Sequence, residues 1–248
     1  ANLSLMGTAY DPLADALELE ARVSQGLKRR YYRLARGGRW YGGIATADCC
    51  GCNLKCLFCW SDYPRDHPLN AGKLYAPEEV FQALASCARK NRYKLLRVSG
   101  NEPTLNRGHL LRLLEMVEES EYLFILETNG ILIDRDYAEA LSRFHKLHVR
   151  VSLKGASEEE FSILTGALPT GFSRQLQALE HLLAQGVSVH PALMVSFSTR
   201  ESIGRLREEM RRIDPSLERE LEEEYVLPYP HVVERLKEAG LKPTQAYD

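Results

Sequence analysis

Cys52-Asn53-Leu54-Lys55-Cys56-Leu57-Phe58-Cys59 is the stretch on which the reading of this chain turns. It carries three cysteines at a Cys-x3-Cys-x2-Cys spacing, close enough for one loop to wrap one metal centre. Thiolates are soft ligands that suit zinc or iron–sulfur clusters. A structural zinc site takes four protein ligands, and a redox [4Fe–4S] cluster usually takes four cysteines. Three cysteines leave one iron of such a cluster open to a small molecule. A zinc reading also stands, because Cys49, Cys50 and His67 lie near enough to supply a fourth ligand. In that case the chain is a non-catalytic zinc- or cluster-binding adaptor.

Composition sets the frame around this loop. Five of the six cysteines fall between positions 49 and 59, a clustering that reads as metal binding in a reducing compartment rather than a disulfide framework. Cys87 stands apart in a helical pattern and reads as a small buried hydrophobe. The 248 residues suit one α/β unit, with 44% hydrophobic and 27% charged residues as in ordinary globular proteins. A net charge of −2 argues against a general polyanion binder. No apolar run approaches the ~20 residues of a membrane span, and no secretory h-region precedes the first helix. A cytoplasmic protein with no membrane partner is expected.

The chain then alternates between two periodicities. Asp11-Pro12 opens a helix that the pattern carries to about Arg36, with Leu13, Leu17, Ala21, Leu27 and Leu34 near one face. Its basic end (Lys28, Arg29, Arg30, Arg33, Arg36 and Arg39, interleaved with Tyr31, Tyr32 and Trp40) reads first as a solvated helix face and second as a phosphate-contacting run. Residues 1–41 are therefore expected to form an N-terminal helical extension. Strands are expected at 44–48, 94–99, 122–127, 147–153, 187–195 and 224–227, with helices between them. This βα repetition specifies parallel pairing by right-handed crossovers. Six units are too few to close an eightfold barrel, so residues 42–248 are expected to form an open α/β (βα)6 partial TIM-type barrel, with a doubly wound sheet as the alternative.

Several elements carry a resemblance. The cysteine loop, with Phe58 before its last cysteine and Trp60 after it, resembles the signature loop of the radical SAM superfamily. Val98-Ser99-Gly100-Asn101-Glu102-Pro103 resembles that family's Gly-Gly-Glu-Pro motif, and Glu127-Thr128-Asn129-Gly130 resembles a further strand-end element. Ser152-Leu153-Lys154 with Leu164-Thr165-Gly166, and Val226-Leu-Pro-Tyr-Pro230, look like the pyruvate formate-lyase activating enzyme group. Three departures stand out: Asn101 takes the place of the second glycine, Ser152 replaces an aspartate, and Pro230 takes the place of a histidine that here comes one residue late, as His231.

The resemblance implies a [4Fe–4S] cluster on Cys52, Cys56 and Cys59, whose open iron binds S-adenosylmethionine. It implies that Gly100, Asn101 and Glu102 hold the methionine end. Glu127, Thr128, Ser152 and Lys154 are second-tier cofactor or cation contacts. The bound cofactor would yield a 5′-deoxyadenosyl radical that abstracts hydrogen from a protein, small molecule or RNA, with flavodoxin or ferredoxin as electron donor. His190 and Met194 are weaker candidates inside the barrel, and residues 62–67 are expected to be a flexible loop.

Overall fold

The computed structural model describes residues 8–247. Helix α1 (Pro12–Val23) starts where expected, with the Asp11 carboxylate accepting from Leu13 N and proline in the first turn. Its buried face is Pro12, Ala16, Leu19 and Val23, rotated from the expected one, and Leu17 is exposed. The helix does not continue to Arg36. Residues 24–38 form β1 (Ser24–Gln25) and β2 (Lys28–Gly38). The expected helical extension is thus a helix followed by a hairpin, and β2 pairs antiparallel with β3 (Ile44–Cys49). The reason lies in the burial pattern. Arg29 and Tyr31 point inward two residues apart, the period of a strand.

After the cysteine loop come α2 (Asp62–Asp66), α3 (Pro68–Ala71) and β4 (Lys73–Tyr75), which pairs with the free edge of β2. The expected loop at 62–67 is therefore mostly helical. From there the chain repeats: α4 (Pro77–Asn91), β5 (Leu95–Gly100), α5 (Arg107–Glu118), β6 (Leu123–Thr128), α6 (Arg135–Ser142) and β7 (Leu147–Leu153). It continues with α7 (Glu158–Thr165), α8 (Thr170–Ala184), β8 (Val189–Met194), α9 (Arg200–Ile213), α10 (Pro215–Arg219), β9 (Glu222–Glu224) and α11 (Pro230–Glu238). The last strand begins two residues earlier than the sequence pattern indicates.

Strands β3, β5, β6, β7, β8 and β9 are parallel neighbours in that order, and β1 and β2 extend the sheet beyond β3. The sheet is an open curve, the unclosed (βα)6 barrel. Leucines and valines of β5 to β8 pack outward against the helices in one continuous core. Cys87 sits at the edge of that core and is only partly buried. The opposite faces of the strands turn polar: Thr46, Asp48, Arg97, Arg150 and Ser152 are all buried inside the curve. Polar groups at alternate positions of β3 and β7, with Arg97 in β5, mark a lined cavity rather than a packed barrel centre. No helix among the described residues is long and apolar enough to cross a membrane.

Candidate functional site

One cavity of about 380 Å³ opens inside the curve at the C-terminal ends of the strands. Cys52, Cys56, Cys59, Gly100, Asn101, Glu102, Glu127, Thr128, Ser152 and Lys154 all line it, so every expected site residue is brought to one place. Met194 lines it as well. His190 lies beneath and donates from Nε2 to cavity-lining Glu222 at 2.8 Å, while its Nδ1 meets His148 Nε2 at 2.6 Å.

The cysteine loop is braced from several directions. Leu57 N donates to Leu164 O at 2.8 Å, so the Leu164-Thr165-Gly166 element supports the loop directly. The Tyr10 hydroxyl accepts from Lys55 N at 2.9 Å and donates to Thr165 O at 3.1 Å. Arg65 donates to Cys56 O at 3.0 Å, and Arg235 of α11 donates to Leu57 O at 2.6 Å. His231, the displaced histidine, reaches Trp60 O at 3.0 Å.

Cys52 Sγ receives Leu54 N at 3.4 Å and Asn129 Nδ2 at 3.7 Å, and Cys59 Sγ lies 3.7 Å from Ser61 Oγ. Burial raises the Cys52 thiol well above its ordinary range and pushes Cys56 up to about 11, against the pull of Lys154. Such thiols are neutral at pH 7 until a metal supplies the charge that ionises them. Three sulfurs on one wall, with N–H groups already aimed at one of them, fit the donor set of a cluster with one open iron. The candidate fourth zinc ligands lie elsewhere. Cys49 and Cys50 are buried, and His67 packs on Tyr63, ring centroids 5.0 Å apart. Among the described residues no three His, Cys, Asp or Glu side chains converge as a single ion requires.

The loop after β5 turns on a glycine. Gly100, not Asn101, takes the left-handed backbone, with φ +86°. A Cβ there would meet Tyr32 Cε1 at 2.9 Å and Cys49 O at 3.0 Å, so only glycine fits. Glu102 is 2% exposed, and its carboxylate is already occupied. It accepts from Thr104 N and Oγ1 at 3.1 and 2.6 Å, from Thr128 Oγ1 at 2.6 Å and from Asn129 N at 2.8 Å. Glu102 therefore knits the ends of β5 and β6 together, and its charge reaches the cavity from within that network.

Glu127 accepts from Arg97 at 2.8 Å and from the Tyr41 hydroxyl at 3.0 Å. Ser152 Oγ accepts from Arg150 at 3.0 Å, so the serine that replaces aspartate has a cation as partner. Arg150 also pairs with Glu222 and Glu224. The His190 hydrogen bond and Arg150 hold the Glu222 carboxyl down to about 2. Against burial, which raises it, Arg150 and Lys154 hold the Glu224 carboxyl below its ordinary value. Lys154 Nζ lies 5.7 Å from the Phe58 ring centroid, and no carboxylate pairs with it among the described residues. Arg97, Arg150, Glu222 and Glu224 are absent from the sequence reading. The signal for the arginines is one charge inside an otherwise apolar strand, whereas Glu222 and Glu224 lie in a run of glutamates that carries none.

The sequence pattern described as the radical SAM superfamily matches residues 48–210. The chain belongs to the radical SAM superfamily, a family of enzymes that carry out radical reactions with a [4Fe–4S] cluster and S-adenosylmethionine. It is similar to the 7-carboxy-7-deazaguanine synthase of Methanothermobacter thermautotrophicus, 26% identical over 156 residues, covering 60% of each chain. It is also similar to the Fe-coproporphyrin III synthase of Methanosarcina barkeri, 30% identical over 140 residues, covering 56% of this chain and 33% of that protein. The chain thus spans less than two thirds of these curated relatives. Among solved structures, Streptococcus suis SuiB superposes with a TM-score of 0.60 at 18% identity, covering 80% of this chain and 41% of that one. At that identity the likeness shows the fold.

Proposed function

We propose that this chain is a radical S-adenosylmethionine enzyme acting on a small polar molecule bound in the barrel cavity. The convergence of all ten expected site residues on one cavity carries this reading. Cys52, Cys56 and Cys59 hold the cluster, and the Gly100–Glu102 loop holds the methionine end of S-adenosylmethionine. Glu127, Thr128, Ser152 and Lys154 are further contacts, with Lys154, which no carboxylate pairs with among the described residues, the cation for a carboxylate. Given one electron from a donor such as flavodoxin or ferredoxin, the bound group would supply a 5′-deoxyadenosyl radical, with methionine as the other product, for hydrogen abstraction from substrate. The residues bind, orient and keep water out.

The open side of the barrel supports a small substrate. Trp40, from the β2–β3 connection, meets Tyr247 at 5.9 Å, and Tyr247 meets Tyr225, just after β9, at 5.4 Å. These rings span the gap between the first and last strands. The half-open cavity, about 380 Å³, must also take the cluster and S-adenosylmethionine, so the room left for substrate suits a small molecule. The named synthases among the relatives agree with this reading. The activating-enzyme-like reading has one observation of its own, the Leu57–Leu164 hydrogen bond that ties the Leu-Thr-Gly element to the cysteine loop. The basic run offers less to an RNA than its six cations suggest, because Arg29 is buried, Arg30 is engaged by Gly72 O and Arg22 O and Arg36 by Asp48, while Lys28, Arg33 and Arg39 are exposed.

The test is anaerobic reconstitution, reduction with dithionite and addition of S-adenosylmethionine. A cofactor-dependent change in the electron paramagnetic resonance spectrum, with 5′-deoxyadenosine in the product, is expected. Bound zinc, or a cluster signal indifferent to the cofactor, would sink the enzyme reading in favour of the adaptor.

A further inference from the structure

We propose that Arg29 is a positioning residue that sets the spacing between the cysteine loop and the loop after β5. The side chain is 1% exposed, and among the described residues no carboxylate pairs with it. A buried cation is costly unless its hydrogen bonds are met. Here all three nitrogens are met, by carbonyls alone. Nη1 donates to Cys50 O at 2.6 Å and Arg30 O at 3.4 Å. Nη2 donates to Glu102 O at 3.1 Å, and Nε donates to Leu105 O at 3.3 Å.

Three of these acceptors lie 21, 73 and 76 residues along the chain from Arg29. Cys50 is two residues before the first cysteine of the loop, and Glu102 ends the Gly100-Asn101-Glu102 run. One planar group therefore fixes both loops in a single frame. A guanidinium presents its donors as a rigid fan, whereas an ammonium presents three from one point. Lysine at this position cannot span Cys50 O, Glu102 O and Leu105 O together. β2 thus contributes to the site through a residue that does not itself line the cavity.

The proposal rests on the radical S-adenosylmethionine reading above. Its test uses the full chain, reconstituted anaerobically, with S-adenosylmethionine as the probe. Iron content, thermal midpoint and dissociation constant are measured for wild type, Arg29→Lys, and Arg29→Ala with and without millimolar guanidinium. Expected is a folded Arg29→Lys protein with wild-type iron whose dissociation constant rises about ten-fold, the loss of one charge-assisted contact's worth of alignment. Guanidinium should restore affinity to Arg29→Ala. Wild-type affinity in Arg29→Lys overturns the proposal. So does loss of iron in step with the thermal midpoint without rescue, or failure of both variants to fold, since either makes Arg29 a general strut. A wild-type protein that ignores S-adenosylmethionine instead refutes the functional reading, so the two failures are told apart.

Discussion

Asn101 Oδ1 accepts a hydrogen bond from Gly51 N at 2.9 Å, ahead of the cysteine loop, while the Nδ2 of the same side chain donates to Ser61 O at 3.0 Å, behind it. It also reaches Ser61 Oγ at 2.9 Å. The residue that departs from the family's second glycine thus closes the cysteine loop like a clasp. Glycine cannot do this. Asn101→Gly leaves Gly51 N with only its longer bond to Pro64 O at 3.2 Å and removes the bonds to Ser61, so it should cost about 1–2 kcal/mol in chemical denaturation. It should also speed loss of reconstituted iron to a chelator. Unchanged stability and iron release would show that the clasp is not used.

Stability should fall with acid through His109. Its Nδ1 donates to Leu27 O at 2.7 Å, which leaves Nε2 to accept from the Tyr31 hydroxyl at 2.8 Å. That arrangement needs a neutral ring. Burial, against the Leu27 carbonyl, lowers the group from 6.5 to about 4. Between those values the unfolded chain binds a proton that the folded chain refuses. The contribution is therefore complete above pH 6.5 and is lost as pH falls toward 4, a change on the order of 3 kcal/mol. His109→Gln should flatten the stability–pH curve in that window. An equal slope in the variant would remove His109 as the cause.

The two extra cysteines should be silent. Burial pushes the Cys49 thiol up to about 11 and Cys50 to about 12. Neutral thiols are poor nucleophiles, and neither side chain lines the cavity that Cys52, Cys56 and Cys59 share. Iodoacetamide at pH 8 should leave both unmodified in the folded protein, and Cys50→Ala should keep wild-type iron. Cys56→Ala should lose it. Iron loss in Cys50→Ala would return Cys50 to the list of ligands.

The barrel is legible in the sequence because β5 to β8 are runs of leucine, valine and isoleucine between helical periods. The hairpin is not legible, for a physical reason. In β2 the inward positions are Arg29 and Tyr31, and an arginine at a buried position hides the two-residue alternation behind a basic run. A bulge between Arg33 and Arg36, with Ala35 at φ +64°, breaks the period again. The cysteines and strand-end loops are local motifs, so their residues could be named in advance. What holds them could not. Arg29, Asn101 and Arg235 act across 73, 50 and 178 residues of chain, and spacing alone carries no trace of such contacts. Glu102 shows the same limit: its motif was visible, but the four hydrogen bonds that occupy its carboxylate were not.

Helix α11 should govern how long the cluster is kept. Arg235 donates to Leu57 O at 2.6 Å and to Cys59 O, and pairs with Asp62 at 2.5 Å, so one guanidinium of the last helix holds the far half of the cysteine loop. The group is 21% exposed at its side chain, and α11 packs through Val232 and Leu236 without it. Arg235→Met keeps the aliphatic stem and that packing, so the expected cost in folding stability is small, about 1–2 kcal/mol. The expected effect on the loop is larger, because three carbonyl and carboxylate partners lose their donor at once. Iron release to a chelator should be several-fold faster in Arg235→Met than in wild type. Val233→Ala, on the exposed side of the same helix at 49% exposure, should match wild type. Equal release from all three proteins would mean that α11 lies beside the cysteine loop without restraining it.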